Sequence, residues 1–409
     1  MFRFVAKLET LKTQDSKLKT QNSKLKKEGV ILSYLFPTYN KWPVKVKEAS
    51  GTTIVDDQGK KYLDFVAGIA VCNLGHCHPT VNEAIKNQLN KVSHVSNLFH
   101  IEGQEEVASL LVSHSSGDAV FFCNSGTEAN EAAIKLVRKA TGKKKIITFY
   151  QSFHGRTLGS LSATGQEKIH EGFTPLLQGF TYLPYNNSEA LTEAVDSDVA
   201  AIFLEVIQGE GGVHEATDEF IETINYLKEK YNLLVVVDEV QTGIGRTGKA
   251  FGYQHYNLSP DIITVAKGLG NGFPVGGLIG KQHLIEAFGP GSHGSTFGGN
   301  PLAMAAAYST VDTIFQESFL KDVEEKSGYF IENLKDALET SKVVKQIRGK
   351  GLMIGIECHQ DVSSFISSLR EKGLLVLNAG SNVLRLLPPL TVTYEEIDQA
   401  LTMLKNELM

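Results

Sequence analysis

Two short, β-branched, largely apolar runs that end abruptly in charge limit what this chain can become. The first is Leu233-Leu234-Val235-Val236-Val237, closed by Asp238-Glu239-Val240-Gln241; the second is Ile262-Ile263-Thr264-Val265-Ala266, closed by Lys267-Gly268. Runs of this kind suit strands buried on both faces of a parallel sheet, whose carboxyl ends open onto a crevice where ligands bind. Asp238 and Lys267 are therefore expected to face one pocket. A carboxylate and an amine brought together in an apolar crevice suit one chemistry well. The lysine holds a carbonyl cofactor as a Schiff base, and the carboxylate keeps a pyridinium nitrogen protonated.

Each charge also has a plain structural explanation, because strand ends routinely carry charge and a lysine after a strand snorkels to solvent. A nucleotide site is a sharper competitor, since Gly243-Ile244-Gly245-Arg246-Thr247-Gly248-Lys249-Ala250 fits GxGxxG and nearly fits GxxxxGK[ST]. Both fits fail on context. A phosphate loop needs a Ser or Thr hydroxyl where Ala250 stands. A dinucleotide loop needs a helix opening at the glycines, but Phe251-Gly252-Tyr253 leads into the turn chemistry of Asn257-Leu258-Ser259-Pro260. On the Schiff-base reading of Lys267 and Asp238, the cofactor would be pyridoxal phosphate.

A chain of 409 residues exceeds the size at which one core stops growing, so two domains are expected. A net charge of -6 argues against a general nucleic-acid binder, and no apolar run reaches membrane-spanning length. The four cysteines, Cys72, Cys77, Cys123 and Cys358, are scattered and no secretory apolar stretch precedes them, which suits free thiols in a reducing cytoplasm. Gly75-His76-Cys77-His78-Pro79 resembles a metal cluster only superficially. Adjacent residues cannot all reach one ion, so no metal is assigned and the stretch reads as a turn into a helix with Pro79 in its first turn.

Residues 1–28 stand apart: a lysine-rich segment repeats a seven-residue unit with one Leu per heptad, at Leu11 and Leu18. A coiled-coil seam needs two apolar positions per heptad, so a basic, disordered extension is expected. Residues 53–65 read as a hairpin around Asp57-Gln58-Gly59, and residues 79–92 and 102–113 carry helical spacing. Ala119-Val120-Phe121-Phe122 is a buried strand that turns at Asn124-Ser125-Gly126 into a helix beginning near Thr127. Free N–H groups and the helix dipole at such a junction bind phosphate, while Ser125 and Glu128 equally suit an ordinary cap.

The next strand, 145–149, leads to Phe153-His154-Gly155-Arg156, where Phe153 can stack on a planar ring and Arg156 can clamp a carboxylate. A buried strand at 200–204 ends in Glu205, and Gln208-Gly209-Glu210-Gly211-Gly212 reads as a flexible loop. A helix at 219–230 enters the central strand; after Lys267 come a strand at 275–280, the hydroxyl-bearing loop Gly294-Ser295-Thr296-Phe297-Gly298-Gly299-Asn300, and a long helix opening at Pro301. Beyond it, residues 315–387 read as helix, strand, helix and strand of a smaller α+β unit. Arg385 interrupts the apolar run Val383-Leu384-Arg385-Leu386-Leu387, and a buried guanidinium needs an anion, either Glu205 or a substrate carboxylate.

In combination, Asn124-Ser125-Gly126-Thr127-Glu128-Ala129, Phe153-His154-Gly155-Arg156, Asp238-Glu239-Val240-Gln241, Ala266-Lys267-Gly268 and the 294–300 loop resemble the class III pyridoxal-phosphate aminotransferases, from about residue 35 to the C-terminus. The resemblance implies an α/β protein of the type I aminotransferase fold, with a mostly parallel sheet in a large domain and a smaller α+β C-terminal domain. On that template the extension spans 1–28, residues 29–75 belong with the small domain, 76–300 form the cofactor-binding domain and 301–409 the small domain. It further implies a homodimer with sites at the subunit interface.

Carried over by position, the resemblance makes Lys267 the Schiff-base lysine and Asp238 the partner of the pyridine nitrogen. Gly126 and Thr127 hold the phosphate, Thr296 reaches the phosphate in the neighbouring subunit, Phe153 and Val240 sandwich the ring, and Gln241 lies near its phenolic oxygen. Arg156 and Ser295 match substrate positions, and Tyr39, Glu205 and Arg385 are further substrate candidates. The implied reaction takes an ω-amino group to a 2-oxo acid, with 2-oxoglutarate returning as glutamate. Ile69 stands where ornithine-using members carry Tyr, which favours an N-acylated diamine such as N2-acetyl-L-ornithine. Ornithine, succinylornithine, succinyldiaminopimelate and 4-aminobutyrate remain alternatives, as does a catalytically silent pyridoxal-phosphate-binding protein.

Overall fold

A computed structural model of the chain describes residues 34–409. The lysine-rich heptads expected before residue 28 lie outside the described residues. The chain divides into two units, Met1–Lys45 and Val46–Met409. In the first, residues 34–45 are bends and extended chain. All elements that follow belong to the second.

The two charge-ended runs form neighbouring strands at the middle of a seven-stranded sheet. Its order is Ala119–Cys123, Gly276–Gly280, Ile262–Val265, Leu234–Asp238, Val199–Leu204, Lys145–Phe149 and Phe180–Leu183. Only Gly276–Gly280 runs antiparallel to its neighbours, so the sheet is mostly parallel as expected. The register pairs Asp238 with Thr264, which places Lys267 three residues further along the adjacent strand, beyond the same sheet end. Every residue of Val199–Leu204 and of Leu234–Asp238 is buried. Covering both faces stabilises each fully buried Val, Leu or Ile by roughly 1.5–3 kcal/mol, and this explains why these strands lack polar alternation.

The helix Gly126–Thr141 covers one face through Ala132, Ala133, Leu136 and Val137, which pack in one cluster with Phe203, Val236, Ile262 and Leu278. It starts where Ser125 accepts from the Glu128 N–H, and ends at Gly142 in the left-handed region, φ 68°, with Arg138 and Lys139 against the dipole's negative end. The helix Pro301–Ile314 is opened by Asn300, whose side chain accepts from the Ala303 N–H at 3.0 Å.

Two four-stranded sheets accompany this core, besides a two-stranded one of Ile207–Gln208 and His214–Glu215. Val344–Lys350, Met353–Cys358, Val383–Leu386 and Leu377–Ala379 form an antiparallel sheet in that order. Val46–Ser50, Thr53–Asp56 and Lys61–Asp64 form another, joined by Leu374–Leu375 in parallel, so the segment near residue 60 shares a sheet with the C-terminal part of the chain. The hairpin at Asp57-Gln58-Gly59 is present, with Gly59 at φ 82°. The strands Val46–Ser50, Phe180–Leu183 and Val344–Lys350 and the helix Tyr394–Leu408 were not expected from the sequence. Among the described residues no helix is long and apolar enough to cross a membrane.

After Lys61–Asp64 the backbone makes a left-handed turn: Ala67, Gly68, Ile69 and Ala70 have φ of 48°, 66°, 67° and 59°. That conformation costs roughly 1–2 kcal/mol for each non-glycine residue, and a β-branched residue such as Ile69 rarely adopts it. Asp64 offsets part of the cost. One of its oxygens accepts from the Val66 and Ala67 N–H groups at 3.0 and 3.1 Å, and the other meets His76 Nε2 at 2.8 Å.

Candidate active site

The carboxyl ends of the central strands open on a cavity of about 460 Å³, a size suited to a small cofactor with a substrate. Asp238 and Lys267 both line it, as the strand pattern predicted. Asp238 is buried and held from three sides. Its Oδ2 accepts from Asn130 Nδ2 at 2.8 Å and faces His154 Nδ1 at 2.7 Å; its Oδ1 accepts from the Val240 N–H at 3.0 Å. The His154 ring is itself stacked on Phe203, 4.3 Å between centroids. The neighbouring Glu239 turns away and accepts from Thr242 Oγ1 and the N–H groups of Gly252 and Tyr253, fixing the loop that follows the strand; burial pushes its carboxyl up to about 7.

Lys267 opens a short 3₁₀ turn, Lys267–Gly270, at φ 45°, left-handed backbone for a residue with a full side chain. Such strain concentrates at functional sites. Burial lowers its pKa, opposed by the carboxylate of Glu210, so a larger fraction of the amine is neutral than for a lysine in water.

The amino end of the helix Gly126–Thr141 also faces the cavity, with Ser125, Gly126 and Thr127 in the lining. The glycines here leave room that a side chain would fill. A Cβ on Gly126 would sit 2.7 Å from Val240 Cγ1, and one on Gly155, at φ 139°, would sit 2.3 Å from Thr127 Oγ1. Phe153 and Val240 also line the cavity and bring apolar surface to it. A helix amino end for an anion, apolar walls for a ring, a fixed carboxylate and a buried amine together suit a phosphorylated, planar carbonyl compound.

Arg385 departs from expectation in its partner. Its Nη1 lies 2.7 Å from Glu210 Oε1 and donates to Gln241 Oε1 at 3.0 Å, so its anion is Glu210, not Glu205. The side chain of Glu205, at the end of Val199–Leu204, is occupied elsewhere: it accepts from the N–H groups of Phe153 and Gly209 at 3.2 and 3.4 Å. Burial pushes its carboxyl well above the usual range, and the charge of Asp238 adds to the effect. For Glu210, burial also pulls upward, but Arg385, Lys267 and Gln241 together outweigh it and the carboxyl stays below its ordinary value.

The other predicted residues divide. Gln241, Arg156 and Glu205 line the cavity, Arg156 with its guanidinium 5.6 Å from the Phe153 ring centroid. Ser295 lies outside the lining and reaches it indirectly, accepting from Asn124 Nδ2 at 3.2 Å. Thr296 is exposed beside it and outside the lining. Tyr39 belongs to the N-terminal unit, where it is exposed.

The family model described as Aminotransferase class-III matches residues 35–408. The chain belongs to the class III aminotransferases. Its relatives include acetylornithine aminotransferase of Bacillus subtilis, 59% identical over 379 residues that cover 92% of this chain and 98% of the other. A second, from Halalkalibacterium halodurans, is 60% identical over 377 residues, again covering 92% and 98%. Among solved structures, the ornithine aminotransferase of Toxoplasma gondii superposes with a TM-score of 0.87 at 32% identity, covering 92% of each chain. The N-acetylornithine aminotransferase of Stenotrophomonas maltophilia does so with a TM-score of 0.79 at 35% identity, covering 90% and 96%. The fold is therefore that of the type I aminotransferases, the α/β class expected.

Three groups in this aminotransferase's site were not singled out by sequence reasoning. Asn130 lies one helical turn beyond Gly126-Thr127, His154 sits within a quoted motif without a role, and Glu210 lies in a loop read only as flexible. A buried Asn inside an alanine-rich helix was the one available signal, because a polar group there needs a partner.

Proposed function

We propose that this aminotransferase binds pyridoxal phosphate and moves the ω-amino group of N2-acetyl-L-ornithine to 2-oxoglutarate, yielding N-acetyl-L-glutamate 5-semialdehyde and L-glutamate. The observation that carries the substrate is the 59–60% identity, over nine-tenths of the chain, to two enzymes named for acetylornithine. Ile69, where the resemblance puts Tyr in ornithine-using members, supports an acylated amine over a free one. Pyridoxal phosphate supplies, when bound, an aldehyde that takes up the amino group and a ring that withdraws electrons from the reacting carbon.

The chain's own residues do the rest. The N–H groups of Gly126 and Thr127 bind the phosphate, and Phe153 and Val240 confine the ring. Asp238, fixed by Asn130 and His154, holds a proton at the ring nitrogen. Lys267 would hold the cofactor's aldehyde, and its amine would carry a proton from the substrate carbon. Arg156 holds the carboxylate distant from the reacting amine. Glu210 masks Arg385 while the acylated diamine is bound and swings aside when the α-carboxylate of glutamate or 2-oxoglutarate arrives. The enzyme acts as a cytoplasmic homodimer, in which Thr296 reaches the neighbouring subunit's phosphate.

The test is a half-reaction screen of the purified, cofactor-loaded protein with acetylornithine, ornithine, succinylornithine and 4-aminobutyrate, following loss of the cofactor's visible absorbance. Acetylornithine should react with the highest kcat/KM. Faster reaction with any of the other three would replace it as the substrate.

A further inference from the structure

The stretch Gly243 to Ala250 matched two nucleotide patterns and satisfied neither, yet it holds a fully buried guanidinium, that of Arg246. Burial lowers its pKa to about 9, which leaves it cationic at neutral pH, and no carboxylate pairs with it among the described residues. Its acceptors are neutral oxygens from three distant stretches. Nη1 donates to the carbonyls of Leu352 at 3.0 Å and Pro388 at 2.5 Å, and Nη2 donates to Asn73 Oδ1 at 2.7 Å. The loop's backbone reinforces the same joints: the Arg246 carbonyl accepts from the Leu352 N–H at 3.0 Å, and the Ile244 carbonyl accepts from Asn73 Nδ2 at 2.8 Å.

Two of the three stretches lead directly to working groups of the cavity. Pro388 follows the strand Val383–Leu386, which carries Arg385. Asn73 packs against Gly268 so closely that a Cβ there would lie 2.3 Å from Asn73 Nδ2, and Gly268 follows Lys267. Asn73 is also tied to the Arg385 side, since its carbonyl accepts from the Leu390 N–H at 2.7 Å. A planar fork with fixed donor directions can hold several acceptors at set positions, which a lysine ammonium cannot do.

We propose that Arg246 is a positioning residue that sets the span between the Lys267 amine and the Arg385 guanidinium, by gripping Pro388 and Asn73 at once. The inference rests on the reading that Arg385 receives the α-carboxylate of glutamate and 2-oxoglutarate. In glutamate the reacting amine and that carboxylate share one carbon, so the span must be right. In acetylornithine the carboxylate lies three carbons further from the reacting one and is held elsewhere. Arg246 thus acts on one half of the reaction without touching either substrate.

Arg246→Met holoenzyme tests this in two ways. Single-turnover reaction with glutamate should show half-saturation raised about tenfold or more, while reaction with acetylornithine stays within about twofold. Glutarate, an unreactive five-carbon dicarboxylate, should bind about tenfold more weakly by calorimetry. Equal losses with both amino donors, or unchanged glutarate affinity, would overturn the proposal and leave Arg246 a structural residue. If Arg246→Met does not fold, Asn73→Ala decides: a smaller loss confined to glutamate and glutarate supports the proposal, and a symmetrical loss or none rejects it. A wild type that ignores acetylornithine overturns the proposed substrate instead, and glutarate affinity then judges Arg246 alone.

Discussion

His154 Nδ1 and Asp238 Oδ2 lie 2.7 Å apart in a pocket where both side chains are buried, and Asn130 donates to the same oxygen. Two partners on one oxygen, with the Val240 N–H on the other, orient the Asp238 carboxylate at the cavity wall. Groups that orient a functional residue typically contribute 10- to 100-fold, and His154→Ala or Asn130→Ala should each lower kcat by about that factor. KM for acetylornithine should change little. Steady-state kinetics with wild-type turnover in both variants would remove the network from catalysis.

Lys267 combines burial, a lowered pKa and a left-handed backbone. Hydride reduction of the cofactor-loaded protein, followed by peptide mass mapping, should place the modification on Lys267 alone. Lys267→Ala should carry no reducible linkage and lose turnover by about 10³-fold or more. A modified peptide containing a different lysine would refute the assignment.

Glu210 and Glu205 are separated by five positions but predicted to fail differently. Glu210→Ala unmasks Arg385, so the ratio of glutamate to acetylornithine half-reaction rates should rise by about tenfold. Glu205→Ala removes the acceptor that joins Phe153 to Gly209 and should slow both half-reactions to a similar extent. Separate single-turnover measurements distinguish the two; a selective shift in Glu205→Ala would return the switch to Glu205.

The His76–Asp64 contact makes stability depend on alkaline pH. The hydrogen bond to Asp64, aided by Cys72, raises the His76 pKa from 6.5 to about 10. A folded-state pKa above the unfolded one stabilises fully below about pH 6.5 and is lost as pH climbs towards about 10. The urea midpoint of the wild type should therefore fall more between about pH 6 and about pH 9 than that of His76→Gln. Parallel curves for the two proteins would contradict the linkage.

What was legible in the sequence follows from where its information is local. Asp238 and Lys267 were readable because an apolar run that stops at a charge marks both a strand and its end. Ser125 and Gly126 were readable because cap chemistry is written within four residues. The partner of Arg385 was not, since two glutamates in one short stretch are equivalent until the loop's path decides which one turns towards Val383–Leu386. His154 was opaque for the same reason: its partner lies 84 positions away. The strand Val344–Lys350 has only Val344 and Ile347 as large apolar residues among polar and glycine positions at a sheet edge and resembles a loop, whereas the helix Tyr394–Leu408 did carry a legible sign, the box of Thr393 and Glu396.

The order of the central sheet sets a timetable for the growing chain. Ala119–Cys123 is an edge strand whose one neighbour in the sheet, Gly276–Gly280, is encoded about 150 residues later. At ordinary synthesis rates of 5–20 residues per second, that is a wait of about 8 to 30 s. Through that interval Ala-Val-Phe-Phe-Cys presents unpaired backbone on an apolar strand, the kind of edge that recruits other chains. Until residues 276–280, about two-thirds of the way along the chain, leave the ribosome, the nascent polypeptide is expected to depend on chaperones to stay soluble.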